Sequence, residues 1–456
     1  MGFMDESYLL ESDVAKVLFN EIAGLPIVDA HNHGDIREIV KNEGWSDIWV
    51  VEGATDHYVW ELMRKRGIPE KRITGTATNR EKWNALAEVF PELIGNPVYE
   101  WTHLDLRRRF GITDIISSDT AEKIWEETRE KLKHRELHPQ ALLKEMKVEV
   151  MCTTDDPTVS LPDHEKAKEE IAHTSIKPTW RPDKFMNIEM EGWQKRVESL
   201  GGETNVDIST LTGFIESLRA THDYFDRTGC VASDHGLEQP YAYYVSETRA
   251  AEIYQKRLNG NALSADDVAD FHAFMLVLFG KMNAETKWVT QLHIGAVRDY
   301  RSSLLNDIGA DSGGDISSQA VEYVKNLSYF FNEFDSDLKM VLYCVDPSHL
   351  PTLVTLSRAF PNISIGAPWW WNDSPYGMET HLKYVATVDL LSNHAGMVTD
   401  SRKLLSFGSR TEMFRRVLSN VLGEMVNKGK APLDAARDLA RSLAYFRPKS
   451  LFFGTN

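Results

Sequence analysis

The feature that most constrains this chain is a recurrence. Eight short apolar runs each end in polar residues, and many are separated from the next by a helical pattern. The runs are LPIVDAHNH (25–33), KVEVMCTTDD (147–156), TSIKPTWRP (174–182), GCVASDHG (229–236), KWVTQLHIGAV (287–297), LKMVLYCVD (338–346), NISIGAPWWW (362–371) and HAGMVTDSR (394–402). Most are rich in Val, Ile or Thr without strict alternation, the pattern of strands buried on both faces. AVEYVKNLSYFFNEF and SPYGMETHLKYVATVDLLSN carry the apolar spacing of amphipathic helices. Strands alternating with helices predict a parallel sheet. Eight of them predict an α/β fold, a (β/α)8 TIM-like barrel with its chemistry at the strands' C-terminal ends.

The repeat breaks once. Residues 34–146 separate the first run from the second, far more than a crossover helix needs. TDHYVWELMRKRGI, NREKWNALAEVFPELIG and TAEKIWEETREKLKHREL within them read as helices. The expected organisation is a catalytic barrel of residues 1–33 and 147–456, with 34–146 as a helical insertion after the first strand, over the barrel mouth. A separate N-terminal domain would orphan the strand before it. Residues 240–285 read as a second helical stretch, and GADSGGD (309–315) as a glycine-rich loop.

A net charge of −17 gives nucleic acid or an anionic membrane surface no favourable field. A small anionic ligand stays compatible, because local arginines decide that. No stretch reaches the ~18 apolar residues of a membrane span; FHAFMLVLFG is among the longest. The first residues carry Asp and Glu where a signal peptide needs basic side chains, and Glu6 stands where a myristoylation motif needs Ser or Thr. Cys152, Cys230 and Cys344 lie apart in apolar runs and read as buried free thiols. A cytoplasmic location is expected.

At their C-terminal ends the runs present His31 and His33, Asp155 and Asp156, Arg181, Asp234 and His235, His293, Asp346, Trp369 to Trp371, and Asp400 with Arg402. On a barrel these would ring one pocket. Residues i and i+2 of a strand share a face, which pairs the imidazoles of His31 and His33. With His293 and Asp400 they form a coherent nitrogen and oxygen ligand set for a divalent metal. The bland alternatives are hydrogen-bonded histidines and helix N-caps; Asp346 before PSHL reads as a cap. Arg181, Arg298 and Arg402 could offer guanidinium forks to a carboxylate. His57 and Tyr58, in TDHYVW, would form a second catalytic wall if the insertion closes over the mouth. Trp369 in APWWWND reads as core or wall.

Together VDAHNH, QLHIGAVRD, PWWWND and HAGMVTDSR make the chain resemble, over its whole length, the uronate isomerase (glucuronate isomerase) family, a non-hydrolytic branch of the amidohydrolase superfamily. The resemblance implies a (β/α)8 barrel with an inserted helical region. It implies interconversion of D-glucuronate with D-fructuronate, and of D-galacturonate with D-tagaturonate. By motif it implies a metal site at His31, His33, His293 and Asp400. His57, Tyr58, Arg181, Asp234, Arg298, Trp369 and Arg402 would form the substrate and catalytic shell. The expected cofactor is a divalent metal, zinc first. The expected partner is a small-molecule sugar acid, with no nucleic acid or membrane, in a homo-oligomer. A metal-dependent hydrolase of the same superfamily is the alternative; no strand-end lysine stands out where a bridging carbamate would form.

The implied reaction is aldose–ketose isomerisation of an open-chain uronate through a cis-enediol, a proton leaving carbon-2 and returning to carbon-1. Asp400 and Tyr58 are the expected proton carriers, either for either step. His57 would orient Tyr58 or the substrate, and the arginines, Arg402 above all, would grip the carbon-6 carboxylate. A tyrosine with a pKa of about 10 is a poor base at neutral pH and would need a cation beside it. An enediol route can run on acid–base groups alone, so a metal could be catalytic or could only organise the site.

Overall fold

The computed structural model describes residues 2–454. Seven of the eight runs form parallel strands: β1 (Ile27–Asp29), β2 (Val148–Cys152), β3 (Ser175–Lys177), β4 (Ala232–Leu237), β5 (Val289–Ile294), β6 (Met340–Cys344) and β7 (Ile363–Ile365). They pair in the orders β1–β2–β3 and β4–β5–β6–β7. Every residue of β5, β6 and β7 is buried, which is why these runs lack polar alternation. Trp180 joins the two sets. Its N–H donates to Ala232 O at 3.3 Å, its carbonyl accepts from Asp234 N at 3.1 Å, and the next N–H, of Arg181, reaches Asp155 O at 2.9 Å.

The eighth run departs from the expected strand. Residues 394–402 carry no ladder, because Gly396 and Asp400 have φ of +89° and +47° and turn the chain where a strand would run straight. Single backbone bonds still hold it between its neighbours: Ala395 N to Ile365 O (2.8 Å), Asp400 N to His31 O (3.1 Å) and His33 N to Ser401 O (3.0 Å). The arrangement is mixed α/β with parallel sheets, consistent with a TIM-like barrel.

Residues 34–146 are helical as expected, with Ile36–Lys41, Ile48–Glu52, His57–Lys65, Asn79–Val89, Pro97–Phe110, Ala121–Lys131 and Pro139–Glu145. Their starts follow capping chemistry. Thr78 and Glu81 close a capping box, and Asn96 caps a helix whose first residue is proline. Their buried side chains, Trp83 and Trp101 among them, belong to the same apolar core as the strands. Arg108 clamps Glu412 of helix Ser406–Asn427 with two bonds of 2.9 and 2.7 Å.

The sequence pattern did not anticipate a two-stranded antiparallel hairpin after β5, Ala296–Val297 with Ile316–Ser317. It brackets Arg298 and the glycine-rich loop. Gly313 has φ +93°, and a Cβ there would lie 2.8 Å from Glu61 Cγ. Without one, Gly314 N donates to Glu61 Oε1 at 2.7 Å and docks the loop on helix His57–Lys65. Asp346 is the N-cap expected of it, accepting Ser348 N at 2.8 Å. The three cysteines are buried and unpaired. Among the described residues no helix is long and apolar enough to cross a membrane.

Gly366, just past β7, faces the Tyr343 ring, and a Cβ there would sit 2.2 Å from it. Gly366→Ala is expected to destabilise the fold by about 1–3 kcal/mol, the usual cost of overpacking. The measurement is a denaturant titration, with a lower midpoint at unchanged slope.

Candidate active site

The chain leaves β1 through His31 and His33, and both rings meet one carboxylate. His31 Nε2 and His33 Nε2 each lie 3.1 Å from Asp400 Oδ1, and Trp369 Nε1 donates to Asp400 Oδ2 at 2.9 Å. Asp400 reaches them from a left-handed backbone that non-glycine residues rarely adopt, strain of the kind that persists at functional sites. Burial opposes its charge, but the bonds from His31 and His33 hold its carboxyl well below the usual carboxylate range. On His33 burial wins and its pKa falls to about 4.

Behind this group lies Asp234 of β4, with no exposed surface. His293 Nδ1 is 2.7 Å from its Oδ1; Arg181 Nε is 3.3 Å and His31 Nδ1 3.9 Å from its Oδ2. Burial opposes the Asp234 charge as well, and Arg181, His31 and His293 hold its carboxyl well below the ordinary range. An ionised carboxylate only accepts, so His293 carries its hydrogen on Nδ1 and its lone pair on Nε2. That Nε2 is buried and has no hydrogen-bond partner among the described residues. For His31, burial works against protonation, yet Asp234 and Asp400 outweigh it and raise the pKa.

Two triads, His31–His33–Asp400 and His31–Asp234–His293, each bring one donor atom per residue within 4.8 Å of the others. Imidazole and carboxylate donors suit zinc and its neighbours. The orphaned Nε2 of His293, with Nδ1–H held by a carboxylate, has the arrangement usual for a metal-bound histidine. His31, drawn toward protonation between two carboxylates, marks a cluster short of positive charge. The residues fit a divalent cation. The expected set of four is thus divided: His33 and Asp400 lie on one side of His31, while His293 sits on the other with Asp234, a residue the motif comparison gave to the substrate shell.

Beside the cluster is a cavity of about 30 Å³. It brings together His33, His57, Tyr58, Arg298, Asp400 and Arg402, all of them expected, although they come from residues 34–146, from the segments after β1 and β5, and from the irregular segment 394–402. A groove of about 400 Å³ shares His33 and Arg402 with it and continues along Trp45 and Val51. Burial, then Arg402, lowers the His57 pKa to about 4. Burial, then Asp400, holds the Tyr58 hydroxyl well above its ordinary range, although the Arg410 guanidinium lies 5.6 Å from its ring. Both are neutral, and the Tyr58 hydroxyl keeps its proton.

Three residues expected in the substrate shell lie elsewhere: Asp234, as above, Trp369 and Arg181. Trp369 faces Asp400 and His293, its ring centroid 4.7 Å from that imidazole, and Trp370 forms the cavity wall instead. Trp370 has φ +54°, and Arg298 lies 4.4 Å over its ring. Arg181 stays with Asp183 and Asp234 and does not line the cavity. Ser233, His235 and Asp183 are bonded in the order of a hydrolytic triad, at 2.8 and 3.2 Å, but Ser233 has no exposed surface. They brace Asp183 against Arg181. Two lysines do lie near strand ends. Lys177 donates to Gly229 O and Lys403 turns to Glu52 and Asp56, so neither bridges the histidines.

Sequence reasoning missed Asp56 and Arg410, and within the Trp369–Trp371 run that it did name it favoured Trp369 where Trp370 lines the cavity. Arg410 lies over the Trp101 ring at 3.8 Å and donates to Thr399 O at 2.9 Å. It sits mid-helix in SFGSRTEMFRR, where no strand end or spacing singles it out. Asp56, adjacent to His57, could have been read as the cap it is.

The family model for glucuronate isomerase matches residues 1–452. A uronate isomerase from Thermotoga sp. strain RQ2 is 60% identical over 451 residues, covering 99% of this chain and 100% of that one. The crystal structure of a uronate isomerase from Thermotoga maritima superposes with a TM-score of 0.98 at 59% identity, covering 99% of this chain and 100% of the other. That of a glucuronate isomerase from Caulobacter crescentus does so at 0.95 and 26% identity, covering 99% and 97%. Matched along nearly its whole length in both sequence and fold, the chain belongs to the glucuronate isomerase family.

Proposed function

We propose that this site interconverts D-glucuronate with D-fructuronate, and D-galacturonate with D-tagaturonate, by moving a proton between carbon-2 and carbon-1 through a cis-enediol. The isomerase activity follows from the family, and the residue roles are inferred from the site. One observation carries them. A single cavity is lined both by Arg298 and Arg402, which suit a carboxylate, and by Asp400 and Tyr58, which can exchange protons.

Arg402 and Arg298 bind the carbon-6 carboxylate and so orient the far end of the open chain. Asp400 is ionised, with its carboxylate plane fixed by Trp369 Nε1, and accepts a proton at the cavity edge. Tyr58 is neutral and gives one to the developing enediol oxygen. His57, also neutral, orients Tyr58 or the sugar; the two rings are 4.7 Å apart. His31, His33 and Asp400, with His293 and Asp234 behind, would hold a divalent metal, zinc first, whose chemistry is to polarise a carbonyl or hydroxyl oxygen. A neutral aldose would leave Arg402 without a carboxylate to bind, which is a strong ground for rejection.

With segment 394–402 counted as the eighth strand, we read the fold as a (β/α)8 barrel of residues 1–33 and 147–456, with 34–146 inserted over its mouth. The backbone bonds flanking that segment and the place of His57 and Tyr58 in the cavity support this. Three free buried thiols suit a reducing cytoplasm.

Proton NMR of D-glucuronate with the metallated protein in heavy water should show fructuronate, with deuterium at carbon-1 of the product or carbon-2 of the substrate. Hydrolysis of amides or lactones with no ketose from either uronate would support the hydrolase alternative instead. Two variants separate metal from substrate. His33→Asn should lose its bound metal on dialysis, measured by elemental analysis. Arg402→Met should keep the metal but lose about a hundredfold in kcat/KM, as expected for charged hydrogen bonds worth about 3 kcal/mol.

A further inference from the structure

Lys403 follows Arg402 in sequence and borders the adjoining groove, yet its side chain is only 1% exposed and does not line the cavity. Its ammonium lies 3.2 Å from Glu52 Oε2 and 3.2 Å from Asp56 Oδ2. Both acids belong to residues 34–146. Glu52 ends helix Ile48–Glu52, and Asp56 caps helix His57–Lys65, its Oδ1 accepting Tyr58 N at 3.0 Å. One side of this ion cluster is therefore three residues along the chain from Asp400. The other side is the cap of the helix that begins with His57 and Tyr58.

Stability alone does not account for it. Burying an ammonium between carboxylates costs several kcal/mol in desolvation, and well-packed apolar side chains often do as well or better. What such a cluster supplies is register, since the Lys403–Asp56 ion pair at 3.2 Å tolerates little sliding, while Glu52, its carboxyl pushed up to about 8 by burial, accepts a hydrogen bond from the same ammonium. Arg298 has its own anchor, with Nη1 3.2 Å from Asp315 Oδ2, so part of the carboxylate grip is set independently.

We propose that Lys403 is a positioning residue that sets the distance between the Asp400–Arg402 wall of the cavity and the His57–Tyr58 wall. The proposal rests on the proton-transfer roles given above to Asp400 and Tyr58. A change in that spacing falls on the proton-transfer step, where misplacement by about 1 Å can cost about a hundredfold in rate. A purely structural lysine would instead change only the fraction of folded protein.

The test is steady-state kinetics on D-glucuronate with full-length, metallated Lys403→Met, rates being expressed per metal-loaded site. The expected result is a kcat lower by about tenfold or more with KM within about threefold of wild type. Asp56→Asn is the second variant. Asparagine caps a helix as well as aspartate does but removes the charge facing Lys403, and it too should lower kcat by about threefold or more at unchanged KM. Wild-type kcat per site in either folded variant, or a change confined to KM, overturns the proposal. If Lys403→Met does not fold, Asp56→Asn decides. Failure of the wild-type protein to isomerise either uronate would instead remove the reading of the site on which the proposal stands.

Discussion

One buried carboxylate holds the site where no strand ladder does. Asp29, the last residue of β1 and 1% exposed, accepts the backbone N–H of Thr399 at 2.9 Å and its hydroxyl as well. Burial pushes its pKa up to about 6, so it is still ionised at neutral pH. Hydrogen bonds to a charged group are worth about 1.5–3 kcal/mol each. These two fix Thr399, and hence Asp400, at a set height beside the chain that carries His31 two residues after Asp29. The irregular backbone of residues 394–402 is affordable because side-chain bonds replace the missing ladder. The turn at Asp400 then delivers a carboxylate to two imidazoles that a straight strand would have kept apart from it.

Charge is arranged locally and against the average. A chain of net charge −17 still turns Arg298, Arg402 and Arg410 toward one small cavity. At separations of a few ångströms in a dry site, the nearest groups decide the potential, because distant surface charge is screened over about 8 Å. The buried acids are met in kind. Arg181, His31 and His293 surround Asp234, while His31, His33 and Trp369 surround Asp400. Asp400 has both oxygens oriented by donors from different elements, which defines position and plane, whereas on Asp234 Oδ1 takes the His293 bond and Oδ2 only faces Arg181 across an ion pair.

The helical segment 34–146 is part of this machinery rather than an appendage. Its apolar side chains belong to the same core as the strands. It is also joined to the body at polar points: Arg108 with Glu412, Glu61 with Gly314, and Lys403 with Glu52 and Asp56. Its Asp56, His57 and Tyr58 complete a cavity whose other walls come from the segments after β1, β5 and β7, from residues 394–402 and from helix Ser406–Asn427.

The sequence by itself determined the parallel α/β plan, the helical nature of residues 34–146, and most of the side chains that meet in the cavity and in the His/Asp cluster. Strand runs, helical periods and capping residues are local, and strand ends gather at one face of such a fold, so His31, His33, Arg298, Asp400 and Arg402 could be named before any coordinates. His57 and Tyr58 were legible only conditionally, as a wall should the insertion close over the mouth and then by the family motif, because nothing in their spacing says that a helix folds back over the strands. Tertiary structure alone decided how the ligand atoms group. It set Asp234 beside His293, and it used a positive φ to put Trp370 rather than Trp369 on the cavity wall. It also turned Arg410 inward from mid-helix and sent Lys403 away from Arg402 toward Glu52 and Asp56. Each of those outcomes depends on contacts between segments far apart in the chain, and on turns whose strain is tolerated only because the surrounding packing over-determines them. Local propensity carries no record of either.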